Sequence, residues 1–565
     1  MSLIGALNVG QSALAVAQAQ LQVTGNNISN SGDPNYADEV ANTTPGNDTQ
    51  ISPGIFIGTG TDLTDVQRQV DESLNQRLNS AVSDNQAANV TEQWSGQVQS
   101  VFNALGSNSF DTQVSTFLGD WSSLANDPTD TSQRTVVLDD GQSLSLTLNN
   151  LSGQLQTLQS QAGSQLSTLA TNANQLTQQI AGLNQQISLS QSGSGTDNAL
   201  LDQRDADVQN LAQLVNVTTV NQANGTVNIY VGSQPLVVDT TASAMSVQSM
   251  ATSTGQPSYQ LVFTANNSPV PATSGQLAAT IQAQQQITSV LGQLNNLAAG
   301  LISGLNTLHA SGQGLEGFST VTGTSQVLDP TAALNSTAAG LDFTPTNGSF
   351  VVTLKNSQTG LSSSTLVPVN LGGTGTQTSL NSLVTSLNAI PNVQASIQGG
   401  HLTISSTNPA DQIYFSQDSS GTLAALGINT FFSGDNAENI AVNSTIANSP
   451  NLIAAAQNGQ PGDNSNALAI STMANTSQTV LGGQSVMSAY QSMINGIAQN
   501  TATATSNAAS TLDIQNALSA QQQSVSGVSI DEETVNMMKQ QLMYQGAARL
   551  VSTIDTMMTA LMAIT

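Results

Sequence analysis

The sequence predicts an α+β multidomain protein whose helical ends form a coiled coil, with a long helical bundle and inserted β-rich domains between them. Two observations lead to this fold class. Apolar side chains recur at alternating spacings of four and three at both ends of the 565-residue chain and again inside it, as in helices that pair along a seam. Segments of alternating polar and apolar residues, typical of strands, lie between these helices.

The terminal helices are predicted from two seams. The N-terminal seam is Leu3, Leu7, Gly10, Leu14, Ala17, Leu21, Thr24 and Ile28. The C-terminal seam is Met543, Ala547, Leu550, Ile554, Met557, Leu561 and Ile564. Because a lone helix cannot bury a seam, the two ends pack either on each other or on neighbouring molecules. We therefore predict a terminal coiled-coil assembly domain from residues 1–61 and 526–565, in which a turn-rich arm follows the first helix.

A helical rod or bundle domain is predicted from residues 62–201, 276–320 and 446–525. Its clearest part runs from Leu144 to Ile187, where the apolar spacing is that of a helix about 65 Å long. The segment from Ile287 to Leu308 repeats the pattern and is the predicted partner helix.

Two β regions are predicted within this helical chain. In residues 202–275, the run VNVTTV, a turn at Asn224 and Gly225, and the run VNIYV indicate a small β-hairpin region. Residues 321–445 are predicted to form a β-rich outer domain, in which strands flank a short helix near Leu380 to Ile390.

Charge and composition exclude several classes of partner. Seven basic and 34 acidic residues give a net charge of -27, which argues against nucleic acid and anionic membranes. The chain has no cysteine, so it can form neither disulfides nor thiolate metal sites. The start has no charged residue before Asp33 and no uninterrupted apolar run. We expect a soluble protein that is made without a cleaved signal peptide and does not enter a membrane.

Catalytic patterns are hard to find. The histidines are His309, predicted to cap or pack at a helix end, and His401, predicted at the start of a strand. Asp139, Asp140 and Gly141 form an acidic turn that lacks the spaced ligands of a calcium loop. We expect no enzymatic activity, no metal and no cofactor.

The motif Asn26-Asn27-Ile28-Ser29-Asn30, followed by Pro34 and Tyr36, closes the first helix. It resembles the corresponding motif of the flagellar axial proteins, which comprise rod, hook and hook-associated proteins. The chain departs from that pattern at Asp38-Glu39, where the family commonly has Arg-Gln.

Further stretches resemble the hook-associated protein 1 family within the axial proteins. The motif residues are Arg68 and Asp71, then Asp202, Arg204 and Asp205, then Asp463, Asn464 and Asn466. Arg204 by itself predicts a local ion pair at a helix start. Similar stretches at Leu124–Pro128, Asn306–Gly312 and Ser524–Glu533 extend the resemblance, in order, over nearly the whole chain. Ser529 and Glu532 in the last stretch predict a capping box before the final helix.

The resemblance implies a structural subunit that forms a ring at the junction between hook and filament outside the cell. The implied partners are further copies of the chain, the hook protein, the second junction protein and an export chaperone that binds within Asp531 to Thr565. We assign to the assembly interface the following residues: Leu7, Leu14, Leu21, Asn26, Asn27, Ile28, Asn30, Tyr36, Met543, Leu550, Ile554, Met557, Leu561 and Ile564.

Two alternatives remain at the level of the sequence. The chain is either another flagellar axial protein, from the hook or the filament side of the junction, or a secreted adhesin whose β domains hold a ligand. An adhesin would bind its target through an isolated β fragment and stay monomeric, whereas a junction protein would depend on its terminal helices.

Overall fold

A computed structural model describes residues 3–103, 106, 109–193, 197–251, 257–460 and 462–563. The helices are α1 (Leu3–Asn30), α2 (Glu72–Asn103), α3 (Phe110–Asn126), α4 (Thr131–Gly193), α5 (Asn198–Leu214), α6 (Gly275–Ala310), α7 (Leu380–Asn388), α8 (Thr422–Ala425), α9 (Ser444–Asn448), α10 (Ser465–Ser471), α11 (Val486–Ser526) and α12 (Ile530–Met562). Short 3-10 turns lie at Thr337–Ala339, Pro450–Leu452, Met473–Asn475 and Thr479–Leu481.

The strands pair antiparallel in small sheets. They are β1 (Glu39–Pro45), β2 (Thr49–Ser52), β3 (Ile55–Ile57), β4 (Thr61–Arg68), β5 (Thr218–Asn221), β6 (Val227–Val231), β7 (Gln234–Val238), β8 (Thr241–Ala242), β9 (Met245–Ala251), β10 (Pro257–Phe263), β11 (Thr320–Thr322), β12 (Gly348–Asn356), β13 (Ser362–Val369), β14 (Val393–Gln398), β15 (His401–Ser406), β16 (Asp411–Ser416), β17 (Phe432–Ser433) and β18 (Ala441–Val442). Long helices with inserted small sheets confirm the predicted α+β multidomain class.

The chain forms two compact units. The first comprises Met1–Trp94, Ala162–Gln284 and Thr503–Thr565, and the second comprises Ser95–Gln161 and Gln285–Ala502. This division cuts across the predicted helical rod ranges, because α2, α4, α6 and α11 each contribute residues to both units.

In the first unit, α1 and α12 pack along each other, so the predicted pairing of the two chain ends is confirmed. The helices approach closely where Gly10 faces Val551. A Cβ atom at position 10 would lie only 2.8 Å from Val551 Cγ2. A glycine in the predicted seam therefore permits the close contact between the helices, although glycine weakens a helix by about 1 kcal/mol relative to alanine.

The segment after α1 differs from the prediction. The turn-rich arm contains strands: β1 pairs with β4, and β2 pairs with β3 in a hairpin between them. Residues 62–68, predicted as the start of the helical region, therefore belong to a strand. Helix begins only after Asp71, whose carboxylate accepts a hydrogen bond from the Leu74 backbone N–H at 3.1 Å and so caps α2.

The middle of the first unit is more elaborate than the predicted hairpin region. Residues 202–214, predicted as β, belong to α5, whose N-cap is Asp197. The predicted hairpin with its turn at Asn224 and Gly225 is confirmed as β5 and β6. The four-stranded sheet β5–β8 and the β9/β10 hairpin share a core with α4 and α5, centred on buried residues such as Ile180, Leu211 and Ile229.

The second unit contains two three-stranded sheets, ordered β11-β15-β14 and β13-β12-β16, and the predicted short helix, α7. Its helical part encloses an aromatic cluster of Phe117, Trp121, His309, Phe431 and Phe432. His309 is fully buried and is held between the Asn429 carbonyl and the Ala454 N–H. The prediction that His309 packs at a helix end is confirmed.

Candidate assembly interface

The seam between α1 and α12 uses only part of the predicted interface. Gly10, Ala17 and Thr24 are buried on α1, and Ala547 and Ile554 are buried on α12. Thr24 Oγ1 donates a hydrogen bond to Gln540 Oε1 at 3.0 Å, which fixes the register of the two helices. Among the predicted residues of α1, Leu7, Leu14, Leu21 and Ile28 are half-buried, whereas Asn26 and Asn30 are exposed.

The other predicted residues of α12 are exposed. Met543, Leu550 and Met557 follow one another at spacings of seven and are 53%, 42% and 54% exposed, and Leu561 is 58% exposed. Ile554, by contrast, is only 4% exposed. Ile564 lies outside the described residues. The predicted α12 seam therefore divides into a buried stripe and an exposed stripe, and whether the exposed one contacts another copy stays a prediction.

Sequence reasoning missed two members of the exposed stripe, Val535 and Leu542, which are also spaced by seven. On a helix of 3.6 residues per turn they fall on the same side as Met543, Leu550 and Met557. We call this surface the exposed face of α12; it comprises Val535, Leu542, Met543, Leu550, Met557 and Leu561. Such a contiguous apolar stripe is typical of a protein–protein contact.

Two cations lie on the exposed face of α12. Lys539 and Arg549 are exposed and, by helical periodicity, lie among its apolar residues. Within the described ranges the ion pairs are those of Arg68 and Arg204 with aspartates, so neither Lys539 nor Arg549 has an ion-pair partner there. In a chain of net charge -27, this basic and apolar face is complementary to acidic surfaces of the same protein.

Asn27 joins α1, the arm and α12. Its Nδ2 donates to Asp38 Oδ1 at 2.6 Å, to the Glu39 carbonyl at 2.9 Å and to Glu533 Oε2 at 3.1 Å. Its Oδ1 accepts from the Tyr36 hydroxyl at 2.8 Å and from the Glu39 N–H at 3.2 Å. The motif that closes the first helix thus positions the arm against the start of α12, and both Asn27 and Glu533 are buried.

The contact between the arm and the start of α12 around Asn27, called the Asn27 junction, is acidic. Burial, together with the charges of Glu533 and Glu532, raises the pKa of Asp38 to about 6. Since the folded pKa lies above the ordinary value of 3.8, folding takes up a proton between these values. The junction is therefore weakest at neutral pH and gains stability as the pH falls through about 6.

Replacing Asn27 with aspartate is expected to destabilise the junction by about 3 kcal/mol at pH 7, because it removes the shared amide donor and places a third carboxylate beside Asp38 and Glu533. Lowering the pH to 5 should recover part of the loss. Chemical denaturation at the two pH values measures both effects. Asn26→Asp is the matched control: Asn26 is exposed, so its loss should stay below about 1 kcal/mol, and equal losses would contradict the role of Asn27.

The motif residues Arg68, Asp202, Arg204 and Asp205 come together in the first unit. Arg68 Nη1 lies 2.6 Å from Asp202 Oδ1 and 3.0 Å from Asp205 Oδ2, which ties the end of β4 to α5. Arg204 lies 3.7 Å from Asp205 and donates to the Gly225 carbonyl at 2.6 Å. The predicted local pair therefore exists with Asp205, whereas Asp202 pairs with Arg68. Burial raises the pKa of Asp202 and lowers that of Arg204.

The third motif group belongs to the second unit. Asp463 accepts hydrogen bonds from the N–H groups of Gln457 and Asn458 and from Ser465. Burial alone would raise the pKa of Asp463, but these hydrogen bonds outweigh it and lower the pKa to about 2.

The two asparagines of this motif also bind backbone. Asn464 donates to the Ala125 carbonyl at 2.6 Å, and Asn466 donates to the Ala454 carbonyl at 2.7 Å. The motif thus ties the start of α10 to α3 through Asn464, and α10 itself to the segment near residue 454 through Asn466. Its side chains have a structural role within the second unit.

No group of three or more His, Asp or Glu side chains is placed to hold a metal ion in the ranges given above. Among the described helices, none has the length and hydropathy needed to cross a membrane.

Comparison with known proteins identifies flagellar relatives. The model "Flagellar hook-associated protein FlgK helical domain" matches residues 95–324, and "Flagellar basal body rod FlgEFG protein C-terminal" matches residues 520–564. The chain is 27% identical to flagellar hook-associated protein 1 of Escherichia coli K12 over 589 aligned residues, which cover 99% of each chain. The same protein of Salmonella typhimurium LT2 is 25% identical over 583 residues, again with 99% coverage of both.

A solved structure of the flagellar hook junction protein FlgK from Burkholderia pseudomallei covers 80% of this chain and 100% of that chain, with 18% identity and a TM-score of 0.49. The similarity is carried instead by the near-complete alignments and by the two flagellar models, which fall on the long helices and on α12. They confirm the resemblance seen in the motifs: along 99% of its length the chain is similar to flagellar hook-associated protein 1.

Proposed function

We propose that this chain is the structural subunit of the junction ring between the flagellar hook and filament, and that it serves as the adaptor on which the filament assembles. The observation that carries this proposal is the pairing of α1 with α12, which leaves an apolar and basic face of α12 exposed over several turns. A chain with that surface needs a partner along its terminal helices. The similarity to flagellar hook-associated protein 1 over 99% of both chains indicates that the organelle is the flagellum.

The proposed mechanism is geometric, and no reaction is catalysed. One side of the ring matches the hook lattice and the other matches the filament side. The contacts between terminal helices adjust to the mismatch between the two lattices. The proposed partners are copies of this chain, the hook protein and the second junction protein. The subunit acts outside the cell, and it reaches that position by flagellar export.

An export chaperone is a further proposed partner, and it binds the C-terminal helix within Asp531 to Thr565. The exposed face of α12 gives the physical reason, because apolar residues such as Leu550 and Met557 would otherwise promote premature association before export. Covering this face keeps the subunit from assembling inside the cell.

Deleting the gene tests the proposed function. We expect cells with bare hooks in electron micrographs and filament subunits shed into the medium, because filament assembly then lacks its adaptor. Restoring the full chain from a plasmid should return attached filaments. Normal filaments in the deletion strain would contradict the junction role.

A further inference from the structure

The hairpin of β2 and β3 carries apolar side chains into solvent. Ile51, Ile55 and Phe56 are 53%, 54% and 60% exposed. Aromatic residues make up only 3% of the chain. An exposed phenylalanine beside two exposed isoleucines is therefore unusual for the surface of this protein. We call residues 49–57 the arm hairpin.

The base of the arm hairpin is anchored. The Gly46 N–H donates to the Gly60 carbonyl at 2.9 Å, and Thr59 Oγ1 donates to the Asn47 carbonyl at 2.7 Å. The Thr61 N–H donates to Ser12 Oγ at 3.3 Å, which fixes the base to the middle of α1. A fixed apolar tip of this kind is suited to a defined contact.

The arm hairpin and the exposed face of α12 lie at similar positions along the helix pair. Ser12 of α1 contacts the base of the hairpin, and Gly10, two residues away, faces Val551 of α12. Leu550 therefore lies close to the level of the hairpin base. A rotation about an axis parallel to the helix pair does not change the height of a residue along that axis. In a neighbouring copy related by such a rotation, Leu550 of α12 therefore lies at the height of the first copy's hairpin base.

The two surfaces also have opposite charge. Exposed Asp48 and Asp62 flank the arm hairpin, and no lysine or arginine precedes Arg68 in the sequence. The exposed face of α12 carries Lys539 and Arg549. The arm hairpin and the exposed face of α12 are therefore complementary, because both carry exposed apolar residues and their charges are opposite.

We propose that the arm hairpin of one copy packs on the exposed face of α12 of a second copy. Phe56 lies against Leu550 and its neighbours, and Asp48 or Asp62 faces Arg549. The contact is heterologous, since it joins two different surfaces, so each copy can bind one neighbour on each side and a ring can close. This inference rests on the proposed function, because it assigns the contact between copies in the junction ring.

Engineered cysteines test the contact cleanly, because the chain has none of its own. The double variant Phe56→Cys/Leu550→Cys is produced in cells that lack the native copy, and isolated hooks are then oxidised. We expect a ladder of covalent dimers and higher oligomers on denaturing gels, removed by reductant. In cells that produce the two single variants together, we expect dimers only, which separates a contact between copies from one within a copy.

The matched control is Phe56→Cys/Val220→Cys, since Val220 is an exposed side chain on β5, outside both surfaces. It should give no ladder. Attached filaments with no ladder from the Phe56/Leu550 pair would overturn the inference and leave the proposed function standing, whereas normal filaments in the deletion strain would overturn the function itself.

Substitutions give an independent readout. Phe56→Ser should lower the number of copies retained on isolated hooks about tenfold, the factor expected when one large apolar side chain loses its buried contact. Arg549→Asp should also lower retention, and Asp48→Arg in the same chain should restore part of it. Unchanged retention in both single variants would contradict the proposed contact.

Discussion

Ile554→Ser is expected to separate the two terminal helices, whereas the same change at Met557 leaves them paired. Ile554 is 4% exposed in the seam with α1, so its replacement creates a cavity and buries a hydroxyl group. We expect a loss of about 3–5 kcal/mol. Helix α1 contains glycines at positions 5 and 10, which make it a weak helix without its partner.

Hydrogen exchange of peptides from α1 measures the separation. In Ile554→Ser, amides of α1 should exchange much faster than in the native chain, while peptides of the second unit should not change. Met557 is 54% exposed, so Met557→Ser should preserve the protection of α1 and instead impair assembly on the hook. Equal protection of α1 in both variants would contradict the assignment of these residues to different stripes.

Acidification from pH 6.5 to pH 4 is expected to destabilise the core around His309 by about 3 kcal/mol. Burial lowers the pKa of His309 to about 4, and the nearby charge of Arg134 acts in the same direction, while the hydrogen bond to Asn429 opposes them. Between pH 6.5 and 4, the unfolded chain, with an ordinary histidine pKa of 6.5, binds a proton that the native chain does not bind. This part of the stability is therefore complete above pH 6.5 and is lost as the pH falls toward 4.

The hydrogen bonds explain why the native ring stays neutral. Nε2 accepts from the Ala454 N–H at 3.0 Å, so the proton is on Nδ1, which donates to the Asn429 carbonyl at 2.8 Å. Protonation of Nε2 would place two donors against each other in a buried site.

Denaturant titrations at several pH values measure this effect as a difference between variants. His309→Gln should lose the decline between pH 6.5 and 4, although it is less stable throughout, and His401→Gln should keep the decline. The comparison with variants is needed because burial and the neighbouring carboxyl of Asp140 raise the pKa of Asp120, which stabilises the fold as the pH falls. A decline of equal size in His309→Gln would contradict the role of His309.

Local patterns in the sequence were sufficient for the long helices and for the pairing of the chain ends. They did not separate the two stripes of α12, because Leu550 and Ile554 satisfy the same spacing. Only the packed structure shows that Ile554 is buried against α1, whereas Leu550 reaches the edge of α1 at Gly10 and stays largely exposed. Helix α5 was also missed in part, because its buried residues, including Val208 and Leu211, are few and lie among polar side chains.

Contacts between distant segments could not be predicted. Strand β4 is rich in polar residues, and its pairing with β1, about twenty residues away, decides its conformation. The ion pair of Arg68 with Asp202 joins residues 134 positions apart. The motifs indicated that these residues resemble those of a flagellar family, but only the fold shows that they contact each other.

The pairing of α1 with α12 has a consequence for how the chain matures. The hydrogen bond from Thr24 to Gln540 spans 516 positions, so α1 can pair with α12 only after the intervening chain has been made. Formation of this pair is therefore a late folding event that requires a large loop to close. A product of premature termination keeps α1 but lacks α12, and it cannot present the paired ends. We therefore expect a chain that stops before Gln540 to lack the helix pair on which the proposed contact between copies depends.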